Sequence, residues 1–246
     1  MRVCHGDRMK RLSFMLAIAF VPNLLVAAAT PVAFAAPTYC NLNPTFNVPQ
    51  VIWVDGSGSS QKTRLCAYVS PGRYVLQKGP YSGHVGRNGV AAPRAKREGD
   101  GKTPYGAYPM RGGFGVFANP GLRASWLVAG SRDVWVDDSR SRLYNTRQRL
   151  PANGRWSSAE KMRLSPAYNY AQVIGYNEAR VAGRGSAIFL HVDQDRATAG
   201  CVSLPTSSLL VVLRWQEARR LDVAHTVNGS SGSSCHRDRA THDHCF

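Results

Sequence analysis

Glycine and proline occur throughout the chain and constrain its fold more than any other feature. The 246 residues include 23 Gly and 14 Pro. Glycine favours turns, and proline interrupts helices and central strands, so such a chain favours short elements over long helices. Hydrophobic residues make up 43% and charged residues 19%, which excludes a wholly disordered chain. The composition predicts a globular protein, long enough for one large domain or two small ones.

Local patterns favour β structure. The segment from Thr63 to Leu76 contains two short β-rich runs around Pro71-Gly72 and predicts a hairpin. Leu209 and Leu213 recur at helical spacing in a helix predicted from about Pro205 to Arg220. Other short strands are predicted from β-rich runs, and a buried strand from one apolar run: residues 125–130, 133–136 and 170–176, and residues 187–192, respectively. We expect a mainly β fold with one or two short helices.

The N-terminus has the features of a signal peptide. A basic cluster at residues 8–11 precedes an apolar stretch that ends in Ala33-Phe34-Ala35, a small-residue cleavage pattern. Pro22 interrupts the apolar stretch, which argues against a membrane-spanning helix, although an uncleaved membrane anchor remains the alternative. Cys40 stands too far from the cleavage point for a lipoprotein. We expect residues 1–35 to be removed and the protein to be secreted to the cell wall or periplasmic space.

The rest of the chain divides by composition. Residues 36–62 are mixed and polar, and are interpreted as an N-terminal segment or linker that ends in a Gly/Ser-rich turn. Residues 63–225 hold the predicted strands and helix, and form the expected catalytic domain. Residues 226–246 are poor in apolar side chains and are interpreted as a polar tail.

The chain is strongly basic. It has 31 Lys and Arg against 15 Asp and Glu, a formal charge of +16. Loss of the four basic residues and one acidic residue of residues 1–35 reduces this charge to +13. The arginines are scattered, and no nucleic-acid-binding motif is present. For an exported protein, we expect the charge to attract acidic cell-wall polymers and not nucleic acid.

Cysteine counting leaves one thiol over. Of six cysteines, Cys4 lies in the leader and five remain, an odd number in an oxidising compartment. The expected disulfides are Cys40 with Cys66 and Cys235 with Cys245, although the sequence leaves other pairings of these four open. Histidines beside the last two cysteines make a metal site the alternative there, but we favour the disulfide and expect no metal. Cys201 has no evident partner.

Cys201 stands in a sequence suited to nucleophilic catalysis. A predicted strand carries His191, and a polar loop returns through Thr198-Ala199-Gly200 to Cys201. A cysteine nucleophile needs a base or a cation nearby, because the thiolate is the attacking species. Consecutive backbone N–H groups near the glycine could face a developing oxyanion. A buried inert cysteine with a core histidine is the alternative reading of this spacing.

Several segments, in order, resemble one family. The stretch IFLHVDQDRATAGCVSLP (188–205) is similar to the active-site segment of the L,D-transpeptidase catalytic domain family, bacterial enzymes that crosslink peptidoglycan. Four further segments resemble a secreted branch of that family with a TAGC motif, so the resemblance spans roughly residues 63–220: GHVGRNG (83–89), EGDGKTPYGAYPM (98–110), DVWVDDSRSRLYN (133–145) and YAQVIGYN (170–177). The resemblance implies an L,D-transpeptidase-like β-sandwich or mixed-sheet catalytic domain.

The resemblance also implies roles for particular residues. Cys201 is the expected nucleophile and His191 the general base, with the backbone N–H groups of Ala199, Gly200 and Cys201 as the oxyanion hole. Thr103 is expected to border the donor peptide. Tyr168 could stack on substrate, or pack in the core. His84 is the alternative base.

The implied reaction is acyl transfer between peptidoglycan stem peptides. The thiolate attacks the bond between a diamino acid and D-Ala, and an amine of a neighbouring stem resolves the thioacyl enzyme as a 3→3 crosslink. No metal or organic cofactor is expected, and carbapenems are expected to inhibit covalently.

Three departures from the commonest family motif leave the acceptor open. Thr198-Ala199-Gly200-Cys201 replaces Ser/Thr-His-Gly-Cys, Ser203 stands where Asn or Arg is usual, and His191 lies closer to Cys201 in sequence. An L,D-carboxypeptidase, in which water takes the acyl group, is therefore the nearest alternative. A non-catalytic cell-wall-binding protein that keeps the fold is the alternative of a different class.

Overall fold

The fold is mainly β. The computed structural model describes residues 36–40, 42 and 48–217, together with the backbone of residues 223–229. In this part of the chain there are thirteen strands and one helix. In order they are β1 (Tyr39–Cys40), β2 (Gln50–Ser57), β3 (Ser60–Ser70), β4 (Arg73–His84), β5 (Gly106–Gly115), β6 (Trp126–Val128), β7 (Asp133–Val136), β8 (Arg147–Arg149), β9 (Ala159–Lys161), β10 (Ala171–Ile174), β11 (Phe189–Val192), β12 (Val202–Leu204), α1 (Thr206–Trp215) and β13 (Val223–Gly229).

Ten of these strands form one mixed sheet that returns on itself. Its order runs β4-β12-β11-β10-β5-β13-β2-β3, and β3 pairs again with β4, while β1 joins β4 and β6 joins β5. Most neighbours are antiparallel, but β11 with β12, β13 with β2, and β5 with β6 are parallel. The closed ladder leaves few free strand edges, which limits edge-to-edge association.

The main core packs α1 against the inner face of this sheet. Leu209, Val212 and Leu213 are fully buried at helical spacing, and the same cluster contains Leu190 and Leu204 from the two strands that precede α1. Removing these large apolar side chains from water is the main stabilising term for the helix, since its N-terminus has no side-chain cap.

A small sheet covers part of the outer face. β7 lies between β8 and β9, antiparallel to both. Trp135 of this sheet packs edge-on against Phe189 at 5.2 Å, and Phe114 packs against Phe189 at 5.0 Å. This second cluster also contains Met162 and Cys201. The small sheet therefore encloses the outer face at the place where β11 and β12 meet.

The predicted hairpin and strands are confirmed, with different bounds. β3 and β4 flank Pro71-Gly72 and are longer than expected, and the other predicted strands correspond to β6, β7, β10 and β11. The helix ends earlier than predicted, at Trp215, because Gln216 adopts an extended conformation. The Gln216 side-chain amide bonds to that of Gln172 at 2.6 Å in the core, which draws the chain off the helical path.

Two segments differ from their compositional interpretation. Residues 36–62, expected to be a segment or linker, contain β1 and β2, and β2 is central in the sheet with Val51, Ile52 and Val54 fully buried. Its Gly/Ser-rich end is the β2–β3 hairpin turn. β13 extends to Gly229, inside the segment interpreted as a tail from residue 226. The predicted signal peptide and the Cys235–Cys245 pair lie outside the described residues.

Cys40 and Cys66 form a disulfide, as predicted. The bond ties β1 to β3 and lies in a small buried cluster with Val51 and Tyr74. Within the described residues, no helix is both long and apolar enough to span a membrane.

Candidate active site

Two parallel strands bring His191 and Cys201 to one face of the sheet. In the β11–β12 register, Leu190 lies opposite Val202 and His191 opposite Ser203. Side chains alternate along a strand, so Leu190 points into the main core, whereas Phe189 and His191 point to the outer face beneath the small sheet. Cys201 directly precedes β12 and packs in the same outer cluster as Phe189.

The Cys201 side chain is a buried free thiol, 8% exposed. Its Sγ accepts the Phe189 N–H at 3.4 Å and donates to the Ala187 carbonyl at 3.3 Å. Burial, and then the nearby Glu160 carboxylate, raise the pKa of this thiol to about 12. The free protein therefore holds Cys201 as a neutral thiol at ordinary pH.

His191 is held with one ring nitrogen available. Nδ1 lies 2.9 Å from the Val192 carbonyl oxygen, and because a carbonyl can only accept, Nδ1 carries the proton and Nε2 keeps its lone pair. The ring also packs edge-on against Tyr168 at 5.4 Å. Burial lowers the pKa of His191. The arrangement gives a neutral imidazole that can accept a proton.

The loop that ends in Cys201 is fastened to the chain that follows β4. Thr198 receives the Arg87 N–H on its carbonyl at 2.8 Å and donates its own N–H to the Val85 carbonyl at 2.9 Å. The hydroxyls of Thr103 and Thr198 both donate to the Cys201 carbonyl, at 3.2 Å and 2.7 Å. Four hydrogen bonds thus fix the backbone around the thiol.

Gly200 permits the tight turn before the thiol. Its φ of +146° is a conformation that other residues rarely adopt, and an added Cβ would lie 2.9 Å from the Lys102 carbonyl oxygen. The Gly200 N–H donates to the Thr198 hydroxyl at 3.0 Å. One of the three predicted oxyanion donors is therefore engaged within the loop itself, which leaves the amides of Ala199 and Cys201 as candidates.

A cleft of about 560 Å³ opens over Cys201 and His191. Its lining contains both acidic and basic side chains. The acidic ones are Glu98, Asp137 and Glu160, and the basic ones are Arg87, Lys96 and Arg196. Such a lining suits a ligand that carries both carboxylate and ammonium groups.

The carboxyl groups of the cleft are held by neighbouring hydroxyls. Glu98 accepts hydrogen bonds from Tyr144 and Ser186, and Glu160 accepts one from Tyr168. Burial raises the pKa of Glu160 to about 7, with further increases from Asp137 and Glu98 partly offset by the Tyr168 hydrogen bond. Glu160 therefore titrates near neutral pH.

Of the two predicted substrate-binding residues, one lies in the cleft. Tyr168 lines the cleft and also packs in the core, with 4% of its surface exposed. Thr103 is fully buried and does not line the cleft. The expectation that Thr103 borders a substrate stays a prediction. In the structure its hydroxyl accepts the Gly86 N–H at 2.8 Å and donates to the Cys201 carbonyl, so Thr103 holds the Cys201 backbone in place.

His84, the alternative base, has a different partner. Its Nδ1 lies 2.9 Å from an Asp193 carboxylate oxygen, and the Ser203 hydroxyl donates to that carboxylate at 3.2 Å. His84 is not among the residues that line the cleft. Within the described residues, no group of three or more His, Cys, Asp or Glu side chains could hold a metal ion.

Sequence reasoning did not identify Glu98, Lys96 or Glu160 as site residues. Glu160 stands in a short polar segment with no motif, and it reaches the cleft because β9 pairs with β7 opposite Trp135. Lys96 is nearly buried and forms an ion pair with Asp100 at 2.7 Å. Glu98 is the first residue of the EGDGK segment and Lys96 lies two positions before it, so this charged turn was the available signal for both residues.

Comparison with known proteins gives no relative: no family model, no curated protein and no solved structure matches this chain.

Proposed function

We propose that this protein is a secreted cysteine acyltransferase, a peptidoglycan L,D-transpeptidase with the corresponding mixed-sheet fold. The observation that carries the proposal is the buried free thiol of Cys201 on the same sheet face as a neutral His191, beneath an open cleft. Four hydrogen bonds hold the backbone of Thr198 and Cys201, so the thiol has a fixed position, as a catalytic nucleophile requires. The resemblance of residues 63–220 to the family supplies the reaction class.

His191 acts as the base during the attack. Burial raises the pKa of Cys201 and lowers that of His191, and both shifts favour the neutral thiol–imidazole pair over a resting thiolate–imidazolium pair. The proton therefore moves from Sγ to Nε2 as sulfur attacks the carbonyl carbon that joins the diamino acid to D-Ala. The electron pair of the carbonyl bond moves to its oxygen, and the amides of Ala199 and Cys201 are the proposed donors to this oxyanion.

The tetrahedral intermediate then collapses. The imidazolium of His191 donates its proton to the D-Ala nitrogen, the C–N bond breaks, and D-Ala leaves a thioester on Cys201. An amine from a second stem attacks this thioester, and His191 takes the amine proton. The C–S bond then breaks, and the imidazolium returns its proton to the sulfur, which restores the thiol and the neutral imidazole. The two-step route through a thioester replaces one difficult amide exchange with two easier steps.

The charges of the cleft fit stem peptides as ligands. Stem peptides carry carboxylates and a free amine, and the cleft provides side chains of the opposite charge for each. The basic side chains are Arg87, Lys96 and Arg196, and the acidic ones are Glu98, Asp137 and Glu160. The Cys40–Cys66 disulfide is consistent with an oxidising compartment outside the cytoplasm. The formal charge, +16 for the whole chain and +13 without residues 1–35, supports attraction to acidic wall polymers.

Covalent capture by a carbapenem tests the nucleophile. Wild-type protein should gain the mass of one carbapenem, because opening of the β-lactam retains all its atoms, and Cys201→Ala should gain none. His191→Gln should be acylated at least about 100-fold more slowly, since the base is lost. His84→Gln is the matched control and should react at the wild-type rate. An equal adduct on Cys201→Ala would reject Cys201 as nucleophile, and a slow His84→Gln with a normal His191→Gln would reassign the base.

Purified muropeptides identify the acceptor. A transpeptidase given tetrapeptide stems should form crosslinked dimers with release of D-Ala, whereas a carboxypeptidase releases D-Ala and forms tripeptide monomers only. Retention on peptidoglycan with neither product would instead favour the non-catalytic wall-binding alternative. The proposal requires dimers from the wild type and none from Cys201→Ala.

A further inference from the structure

Glu160 and Tyr168 connect the small sheet to the reactive pair. The Tyr168 hydroxyl donates to Glu160, and the Tyr168 ring packs edge-on against His191 at 5.4 Å and against Phe189 at 5.7 Å. Tyr168 and Cys201 belong to the same buried cluster. The tyrosine therefore stands between the Glu160 carboxyl and the Cys201–His191 pair, and no step of the proposed reaction uses either residue.

We propose that Glu160 is a positioning residue, which acts through Tyr168 to set how readily the Cys201 thiol loses its proton. The inference rests on the proposed function, since it takes Cys201 as the nucleophile. Its readout is the ionisation of the thiol, which is measurable whether or not the protein transfers acyl groups.

The physical basis is the state of the tyrosine proton. An ionised Glu160 holds this proton and places a negative charge near the sulfur, and both effects oppose a thiolate. A protonated Glu160 carries no charge and holds the tyrosine proton less strongly, because a neutral carboxyl is a weaker acceptor than a carboxylate, so both effects that oppose the thiolate decrease. The pKa of Tyr168 is raised by burial, then by Cys201 and Glu160, so its hydroxyl stays protonated and able to donate.

Other charged groups face Glu160 from the elements around it. Asp137 and Glu98 oppose its ionisation. The nearby cation Lys96 is already paired with Asp100. The titratable and charged side chains that share the cleft with Glu160 are Arg87, Lys96, Glu98, Asp137, Tyr168, His191, Arg196 and Cys201. Among the described residues of this cleft, Tyr168 is the one that donates a hydrogen bond to Glu160.

The pH dependence of alkylation tests this coupling. Iodoacetamide is uncharged and reacts with the thiolate, so its rate reports thiol ionisation, and intact mass with Cys201→Ala as a blank assigns the adduct. For the wild type, the logarithm of the rate should rise with pH, flatten near pH 7 as Glu160 ionises, and then rise again. Glu160→Gln should remove the flat region and react about tenfold faster above pH 8, a fall of about one unit in the thiol pKa.

Glutamine is the appropriate replacement, because it has nearly the same shape as a protonated glutamic acid and, being uncharged, holds the Tyr168 proton less strongly than a carboxylate does. Glu98→Gln is a matched control in the same cleft, since Glu98 is held by Tyr144 and Ser186 and not by Tyr168. It should keep the flat region but move it to lower pH, because Glu98 raises the pKa of Glu160. Glu178→Gln, on an exposed carboxylate paired with Arg111, should reproduce the wild-type profile.

Tyr168→Phe tests whether the effect passes through the hydroxyl. Phenylalanine keeps the ring against His191 but cannot donate a hydrogen bond, so the flat region should become shallower, since only the effect of the Glu160 charge remains. Adding Glu160→Gln to this variant should raise the rate less than it does in the wild-type background. An equal effect of Glu160→Gln in both backgrounds would reject action through Tyr168. A folded Glu160→Gln protein with the wild-type profile would reject the proposal altogether. If Glu160→Gln does not fold, Tyr168→Phe alone tests the proposal, and a flat region as deep as that of the wild type would reject it. If the protein shows the expected pH profile of alkylation but is not acylated by a carbapenem, the proposed function is rejected, and the coupling between Glu160 and Cys201 stands.

Discussion

Thr103 shows how one buried hydroxyl can serve a reactive residue without touching a ligand. Its oxygen accepts the Gly86 N–H and donates to the Cys201 carbonyl, so it joins the chain that follows β4 to the residue that carries the thiol. Gly86 allows this close approach, because an added Cβ would lie 2.3 Å from the Gly101 carbonyl oxygen. Gly86 and the Thr103 hydroxyl therefore hold the Cys201 backbone on the side away from the cleft.

Thr103→Val should impair both stability and acylation. Valine has nearly the same shape but leaves the buried Gly86 N–H without an acceptor, which costs about 1–3 kcal/mol in the free energy of unfolding. The Cys201 carbonyl would keep only the hydrogen bond from the Thr198 hydroxyl, and this looser hold on the backbone should slow carbapenem acylation. Thr63→Val is the matched control, since Thr63 is fully buried and bonds to Gln61; it should lower stability by denaturant titration but leave the acylation rate unchanged. Equal acylation rates in the two variants would contradict a role for Thr103 at the site.

At this scale, sequence reasoning could nominate Cys201 and His191 but not their surroundings. Cysteine counting and a short loop identify the pair, because both residues lie within one local segment. Thr103 and Cys201 are 98 positions apart, and Glu160 belongs to a different sheet. Contacts of this kind depend on how strands distant in sequence are arranged, so local sequence patterns do not predict them. The hydrogen bond from Thr103 to the Cys201 carbonyl was not predicted for this reason.

The short strand β1 depends on its disulfide. It has two residues, Tyr39 and Cys40, and pairs only with the start of β4. So short a strand gains little from its own hydrogen bonds. Cys40 is instead bonded to Cys66, across a sequence separation of 26, beneath the side chain of Tyr74.

Replacing both of these cysteines by serine should lower the free energy of unfolding by about 3 kcal/mol, because closing a loop of this size restricts the unfolded chain. Urea titration measures the loss. The site itself should persist, so carbapenem acylation of the folded variant should match the wild type. Reduction of the wild-type disulfide should cause the same loss of stability. A variant as stable as the wild type would show that attaching β1 through the disulfide adds nothing to the free energy of unfolding.

Elements with strong local signals were predictable, and elements defined by their neighbours were not. The β3–β4 hairpin follows from Pro71-Gly72 and alternating apolar residues, and α1 follows from Leu209 and Leu213. β2 was hidden by the polar residues around it, although Val51, Ile52 and Val54 are buried. β13 contains His225 and Asn228, and it becomes a strand by lying between β2 and β5.

For the whole molecule, two buried groups give stability opposite dependences on pH. The pKa of Glu160 is raised to about 7, so its contribution to stability is complete below about pH 4.5 and is lost as pH rises through 7. The pKa of His191 is lowered by burial, so its contribution is present above about pH 6.5 and is lost as pH falls below that value. The two effects together favour a stability maximum at mildly acidic pH.

Glu160→Gln should therefore stabilise the protein more at pH 8 than at pH 5. The difference should approach ~3 kcal/mol, the free energy equivalent of a pKa rise from 4.5 to about 7. Denaturant titration at the two pH values measures it. Glu178→Gln should show the opposite trend, because Arg111 lowers the pKa of Glu178 and the lost attraction matters only at the higher pH. Parallel pH profiles for Glu160→Gln and the wild type would contradict the buried charge.

The position of β13 governs when the fold can be completed. It pairs on one side with β2 and on the other with β5, yet it is the last strand that the structure describes. A ribosome releases β2 and β5 long before residue 229, so during synthesis both strands present open edges with a gap between them. Such edges pair readily with other chains. Copies that stop before β13 therefore keep two exposed strand edges, and we expect them to associate with other chains more readily than copies in which β13 closes the sheet.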